Sequence, residues 1–170
     1  LQSFPDRFRS AYRAGMHQKL GLAESREGDD ELAEELLTRM AGNRADFTLT
    51  FRRLSELGDE PSEADASASS LFEQPAAFDD WAVRWRRRLA SEVRSFSERR
   101  AEMRSVNPAF IPRNHRVEEV IVAATRDGDF RPFETLLEVL ASPYEDQPGR
   151  EEYAAPPRPE EVVRETFCGT

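Results

Sequence analysis

The chain has 170 residues, 38% of them hydrophobic and 34% charged, with a net charge of −9, enough for one domain with a modest core and a well-solvated surface. The acidic balance argues against a generic nucleic-acid binder, which needs basic surface to displace phosphate counterions. No run approaches the roughly 18–20 apolar residues of a bilayer-spanning helix, and no charged-then-apolar start resembles a secretory signal, so neither nucleic acid nor membrane is an expected partner.

The first predicted helix carries Phe8, Ala11, Tyr12, Gly15, Met16 and Leu20 at spacings of three and four, one stripe of an amphipathic helix. Pro5 suits its first turn, and Gly21 its stop. A second helix is expected from Asp29-Asp30, whose carboxylates favour a helix N-terminus, to Gly42-Asn43, with Leu32, Leu36, Leu37 and Met40 inward. A third is expected over about 45–57 through Phe47, Phe51 and Leu54. Residues 58–70, small, acidic and polar, read as a loop or linker. The longest helix is predicted over about 79–104, capped by Asp79 or Asp80, with Trp81, Trp85, Leu89, Val93 and Phe96 on its core stripe. The flanking Arg84, Arg86, Arg87 and Arg88 then form its wet face, paired with acids three or four residues away.

Asn107-Pro108 and Ile111-Pro112 interrupt the pattern, because a residue before proline is pushed out of helical conformation. A helix over 115–125 follows, closed by Gly128 in a left-handed cap. A last clear helix opens at Asp129 and carries Phe133, Leu136, Leu137 and Leu140. Beyond Pro143 the chain is proline-rich and poor in apolar residues, an extended tail with a short helical turn at 160–165. The expected fold is all-α: about six helices and a tail. Its organisation is a helical segment over 1–57, a flexible acidic linker over 58–77, a helical segment over 78–142 and the tail over 143–170, one domain overall.

Motifs that carry chemistry are absent from this stretch. It holds no glycine-rich phosphate loop, HExxH or CxxC, and no nucleophile elbow, HRD or DFG sequence. His17 and His115 are the only histidines and lie far apart in sequence. The acidic pairs Glu34-Glu35, Glu118-Glu119 and Glu151-Glu152 read as solvated surface, since acid–base work needs carboxylates with shifted pKa values in a cleft. No catalytic, cofactor-binding or metal residue is therefore assigned. Cys168 is the single cysteine, so no disulfide forms within the chain, as in an intracellular protein; the expected location is a bacterial cytoplasm. Basic charge is almost wholly arginine, with Lys19 the only lysine. The start at Leu1-Gln2-Ser3, without an initiator Met, is the expectation for a fragment.

Several stretches, in order, carry a resemblance. They are Tyr12-Arg13-Ala14-Gly15-Met16 with Lys19-Leu20-Gly21-Leu22, then Ala45-Asp46-Phe47-Thr48-Leu49-Thr50-Phe51-Arg52-Arg53-Leu54, then Trp81 with Trp85-Arg86-Arg87-Arg88-Leu89. The most specific is Asn107-Pro108 through Ile111-Pro112-Arg113-Asn114. Gly128-Asp129-Phe130, Pro143-Tyr144, Gln147-Pro148 and Tyr153-Ala154-Ala155-Pro156-Pro157 follow. Together they resemble the C-terminal region of the selenoprotein O-type protein adenylyltransferases, over essentially the whole chain.

The resemblance implies a parent enzyme with a protein-kinase-like fold that transfers AMP from ATP to Ser, Thr or Tyr of protein substrates. It holds the nucleotide in inverted orientation with a divalent metal, Mg or Mn. Such transfer rests on cationic groups and metal neutralising charge while a base assists the hydroxyl. The ATP lysine, the metal ligands and the catalytic aspartate of the family belong to an upstream kinase-like domain. ATP and metal are thus expected for the parent, with none bound here. Cys168 matches an antepenultimate position that some members fill with selenocysteine, which implies a reversible redox role with a cysteine elsewhere. Asn107, Arg113 and Asn114 are the expected polar residues of the junction with the catalytic domain, with a structural role in the proline-bounded turn as the alternative. The alternative is a free-standing helical protein-interaction module.

Overall fold

The computed structural model describes residues 3–163. These residues are all-helical, without a strand, and fall into two compact units, Leu1–Asn107 and Pro108–Thr170. No helix among them is long and apolar enough to cross a membrane.

Unit 1 contains α1 (Ser3–Lys19), α2 (Asp29–Gly42), α3 (Phe47–Leu54), α4 (Glu63–Ser69), α5 (Pro75–Leu89) and α6 (Phe96–Val106). The predicted stop at Gly21 is physical. Its φ of 73° lies in the left-handed region, and the N–H groups of Gly21 and Leu22 bond to the carbonyls of Gln18 and His17, a Schellman closure. A Cβ at Gly21 would stand 2.7 Å from Met103 Sδ and 2.8 Å from Arg99 Cγ, so α6 packs directly on this glycine. α2 keeps its expected bounds. α3 begins at Phe47 because Asp46 Oδ1 accepts the Leu49 N–H at 2.8 Å, satisfying an orphan donor of the first turn.

Two expectations are corrected in unit 1. Within the stretch read as an acidic linker over 58–77 lies α4, opened by a capping box between Ser62 and Asp65. Ala68 and Phe72 of that stretch are buried in the core. The single helix over 79–104 is two. α5 starts at Pro75, which leaves Asp79 and Asp80 inside it, and ends at Leu89; α6 restarts at a second capping box, Ser95 with Glu98. Val93, placed on the core stripe by spacing, is fully exposed in the break. Spacings of four and three continue the helical period by coincidence, while reciprocal caps decide where backbone donors are satisfied.

The core of unit 1 is built on α5. Phe78, Trp81 and Trp85 are completely buried with Leu20, Leu36, Leu54 and Phe51. The Trp81 and Trp85 rings stack with centroids 6.0 Å apart. Each indole N–H donates to a backbone carbonyl at 2.9 Å, Trp81 to Leu32 and Trp85 to Leu20, so the rings are buried without an unpaired donor.

Unit 2 contains α7 (Asn114–Val122), a wide π turn over Ala123–Asp127 ended by left-handed Gly128, α8 (Arg131–Ala141), α9 (Glu151–Ala154) and a 3-10 turn at Pro159–Glu161. The described residues thus hold nine α-helices rather than six, because short capped helices fill segments that carry no long apolar period. The expected tail is partly folded: Tyr153 and Ala154 pack on a small core of Ala109, Phe110 and Val139. Gln147 Nε2 donates to the carbonyls of Val139 (2.8 Å) and Ser142 (3.0 Å). The Pro143 carbonyl accepts from the N–H groups of Ala109 and Phe110.

Candidate functional site

Asn107 ends α6 and is completely buried. Pro108 follows it and holds it in extended conformation, φ −111° and ψ 97°, which turns its amide inward. Nδ2 donates to the Lys19 carbonyl at 3.0 Å, and Oδ1 accepts from Lys19 Nζ at 3.2 Å. Its backbone carbonyl accepts from Arg52 Nη1 at 3.0 Å. Lys19 Nζ also donates to the Val106 carbonyl at 3.0 Å and sits 5.5 Å from the centre of the Phe51 ring. Burial pulls the Lys19 ammonium below its ordinary pKa. One asparagine thereby ties the C-terminal ends of α1 and α6 to α3. Every heteroatom of its side chain has a partner, as a buried amide requires.

The other two expected junction residues sit in unit 2. Arg113 precedes α7 and is 8% exposed, with Nη2 donating to the Ala154 carbonyl at 2.8 Å. Asn114 is the first residue of α7 and is exposed. The structure thus makes Asn107 and Arg113 buried organisers of separate units and leaves Asn114 on the surface. Cys168 lies outside the described residues.

The arginine run of α5 differs from a uniformly wet face. Arg84 and Arg87 are exposed. Arg86 reaches Asp65 at 2.7 Å and donates to the Gly58 carbonyl, which fastens the 58–70 stretch to α5. Arg88 is the anchor: Nε meets Asp29 Oδ1 at 2.6 Å, Nη1 meets Glu92 at 2.7 Å and Nη2 reaches the Glu24 carbonyl at 2.7 Å. Burial opposes ionisation of Asp29, but hydrogen bonds from Arg88 and the Arg26 N–H outweigh it and hold the carboxyl below its usual range. Three of the run's partners are distant in sequence: Asp29 on Arg88, Asp65 on Arg86 and Glu35 on Arg84. The local spacing anticipated only Glu92.

Each histidine has acidic neighbours. His17 Nε2 faces Asp30 at 3.3 Å, and Arg13 meets the same carboxylate at 2.8 Å, in an open groove of about 650 Å³ along α1. His115 is buried, and that burial, with the nearby Arg116, lowers its pKa. It lines a cavity of about 480 Å³ with Glu118, Glu119, Glu160 and Glu161. No group of three or more His, Cys, Asp or Glu among the described residues is placed to hold a metal ion.

Sequence reading missed Lys19 and Arg52 as members of the Asn107 knot. A signal existed for the first: a lone lysine in an arginine-rich chain, set on the last turn of a helix beside buried Met16 and Leu20.

Comparison with known proteins supplies the wider frame. The family model described as "Protein adenylyltransferase SelO" matches residues 1–141. The chain is 55% identical over 170 residues to a protein of Bradyrhizobium diazoefficiens named protein nucleotidyltransferase YdiU. Proteins of the same name from Nitrobacter winogradskyi and Rhizobium meliloti are 54% and 55% identical over 173 and 163 residues. All of this chain is covered in the first two comparisons and 96% in the third. It spans about a third of each relative, 34%, 33% and 33% of their lengths.

Proposed function

The chain belongs to the SelO protein adenylyltransferase family, and from that premise we propose that it is the C-terminal helical region of an enzyme that transfers AMP from ATP to Ser, Thr or Tyr hydroxyls of proteins. The observation that carries this reading is the family match over residues 1–141 combined with identity above 50% along the full chain. The relatives' name, protein nucleotidyltransferase, agrees with transfer of a nucleotidyl group.

When bound to the parent, ATP and a divalent metal, Mg or Mn, supply the transferable AMP and neutralise its phosphate charge. The described residues offer no cluster suited to that metal, and no step of the transfer is assigned to them. Their proposed work is structural. The Asn107–Lys19–Arg52 knot, the Arg88–Asp29 pair and the buried tryptophans fix six helices as one framework against which a kinase-like catalytic domain packs. Asn107, Arg113 and Asn114 are proposed to organise that junction. Cys168 is proposed as a reversible redox residue whose partner cysteine lies elsewhere in the parent, in a bacterial cytoplasm.

The test uses the full-length protein with Mg²⁺ and ATP labelled at either the α or the γ phosphate. The reading predicts protein-bound label from α-labelled ATP only. Label arriving from the γ position would overturn it. A Cys168→Ser variant that responds to oxidant and reductant as the wild type does would remove the redox role.

A further inference from the structure

The N-terminal three turns of α1 touch little of unit 1. Every residue from Phe4 to Ala14 is exposed. Phe4, Phe8 and Tyr12 are 70%, 60% and 50% exposed and stack in a ladder, with centroids 6.4 and 6.3 Å apart. Isolated helical turns are marginal in water, and packing of an apolar face normally supplies their stability. A row of three exposed aromatics is the kind of patch that marks an interaction surface.

Three further features say what kind of surface covers it. Ala11 and Gly15 lie on the same face as Phe4 and Phe8, by the 100° step of the helix, and make a flat strip beside the ladder. Glycine inside a helix is unfavourable relative to alanine, yet a Cβ on Gly15 would meet nothing within 4 Å. Unit 1 therefore has no use for that glycine, whereas a close-packed neighbour does. Next to the ladder, Phe8, Tyr12, Met16, Ala33 and Leu37 line a groove of about 260 Å³ between α1 and α2, which Arg9, Arg13, Asp30 and Glu34 also line. On the far edge, Arg7 has no ion-pair partner among the described residues, so an acidic rim on the occupant is complementary.

We propose that this α1 face is the seat of the remainder of the same polypeptide, an apolar surface with an acidic rim that lies flat on Ala11 and Gly15 and inserts side chains into the α1–α2 groove. The proposal rests on the reading of the chain as part of a longer adenylyltransferase. The relatives carry about two thirds of their length outside the matched stretch, so an occupant is covalently present at high effective concentration. A second copy of the chain has no such advantage.

Hydrogen–deuterium exchange on the full-length protein tests it, using wild type, Phe8→Asp, Gly15→Leu and, as control on the opposite face, Ser10→Glu. The expected result is α1 amides as protected as those of α2 in the wild type, a loss of protection of tenfold or more in Phe8→Asp and Gly15→Leu, and no change in Ser10→Glu. Leucine is a better helix former than glycine, so a purely local effect of Gly15→Leu would raise protection. Wild-type α1 amides exchanging at free-peptide rates would overturn the proposal, as would unchanged protection in Phe8→Asp and Gly15→Leu. Protection that appears only where sedimentation shows a dimer, and is lost with that dimer, would assign the face to a second copy instead. Protected α1 without AMP transfer defeats the activity alone; AMP transfer with unprotected α1 defeats the docking alone.

Discussion

Unit 1 encloses Trp81, Trp85, Phe51, Phe78 and a shell of leucines, whereas the described part of unit 2 closes around Ala109, Phe110 and Val139. In unit 2, Ile121, Phe130, Phe133, Leu137 and Tyr144 are each more than four-tenths exposed. Their ionic habits differ as well. Unit 1 joins distant segments through Arg88–Asp29, Arg86–Asp65 and Arg99–Asp59. In unit 2, Arg116–Glu119, Arg131–Asp129 and Arg158–Glu161 are local pairs. Local pairs stabilise a turn but do not specify which helices meet. Unit 2 also joins separate segments through side chains that grip backbone carbonyls, Gln147 on Val139 and Arg113 on Ala154. A small core leaves less surface to bury, and hydrogen bonds of this type carry more of the fold.

The comparison breaks most easily at the tryptophans. Trp85→Ala should cost unit 1 about 3–5 kcal/mol, read from urea unfolding followed by exchange of the α2 and α5 amides. Leu136→Ala in unit 2 should fall at the low end of the leucine range, about 2 kcal/mol, because Leu136 keeps 7% exposure and lies outside the small Ala109–Phe110–Val139 cluster. Equal losses would contradict the difference in core depth.

Gly21→Ala comes next, at about 2–4 kcal/mol, from the left-handed backbone and the overpacking of Met103 and Arg99; thermal unfolding checks it. A neutral outcome would mean that α6 does not rest on this turn. Gln147→Ala should cost unit 2 about 1–3 kcal/mol, since it leaves two carbonyls without their donor.

The smallest effects are in pH dependence, and they separate the units by window: both contributions are lost as pH falls, but over different ranges. Asp29 is held below its ordinary value of 3.8, so the unfolded chain takes up its proton first. The stabilisation is complete above 3.8 and is lost as pH falls through the lower folded value. His115, lowered from 6.5, is neutral in the fold over a range where the unfolded chain is protonated. Its contribution is intact above 6.5 and declines below it. The protection factors of α7 amides, taken relative to the intrinsic rate at each pH, should therefore begin to fall as pH drops below 6.5, while those of α2 hold until the Asp29 window. Asp29→Asn should flatten the second loss and His115→Gln the first.

Much of this fold was legible in the residues. Helical spacing located α1, α2, α3 and α8, because each places leucine or aromatic side chains on one face. Gly21 and Gly128 were readable as stops because a left-handed closure favours glycine. The α5–α6 break was written in Ser95-x-x-Glu98 and α4 in Ser62-x-x-Asp65, but hydrophobic period outvoted the caps. Asn107 and Arg113 were singled out by the family resemblance, while their proline neighbours marked only a break in the helical pattern. The partners of these two residues were not, since Lys19, Arg52 and Ala154 meet them only through tertiary folding, which no local spacing encodes. For the same reason the acids on Arg86 and Arg88 were sought one helical turn away and lie on other segments.

The central claim is that these residues provide framework and not chemistry, and Asn107→Ala in the full-length protein tests it most directly. Thermal stability and AMP transfer are measured together over a range of ATP and Mg²⁺ concentrations. The account predicts a lower melting temperature, activity reduced only in step with the folded fraction, and KM for ATP and Mg²⁺ unchanged. An unchanged melting temperature with a tenfold rise in either KM would contradict it and place Asn107 in the binding machinery.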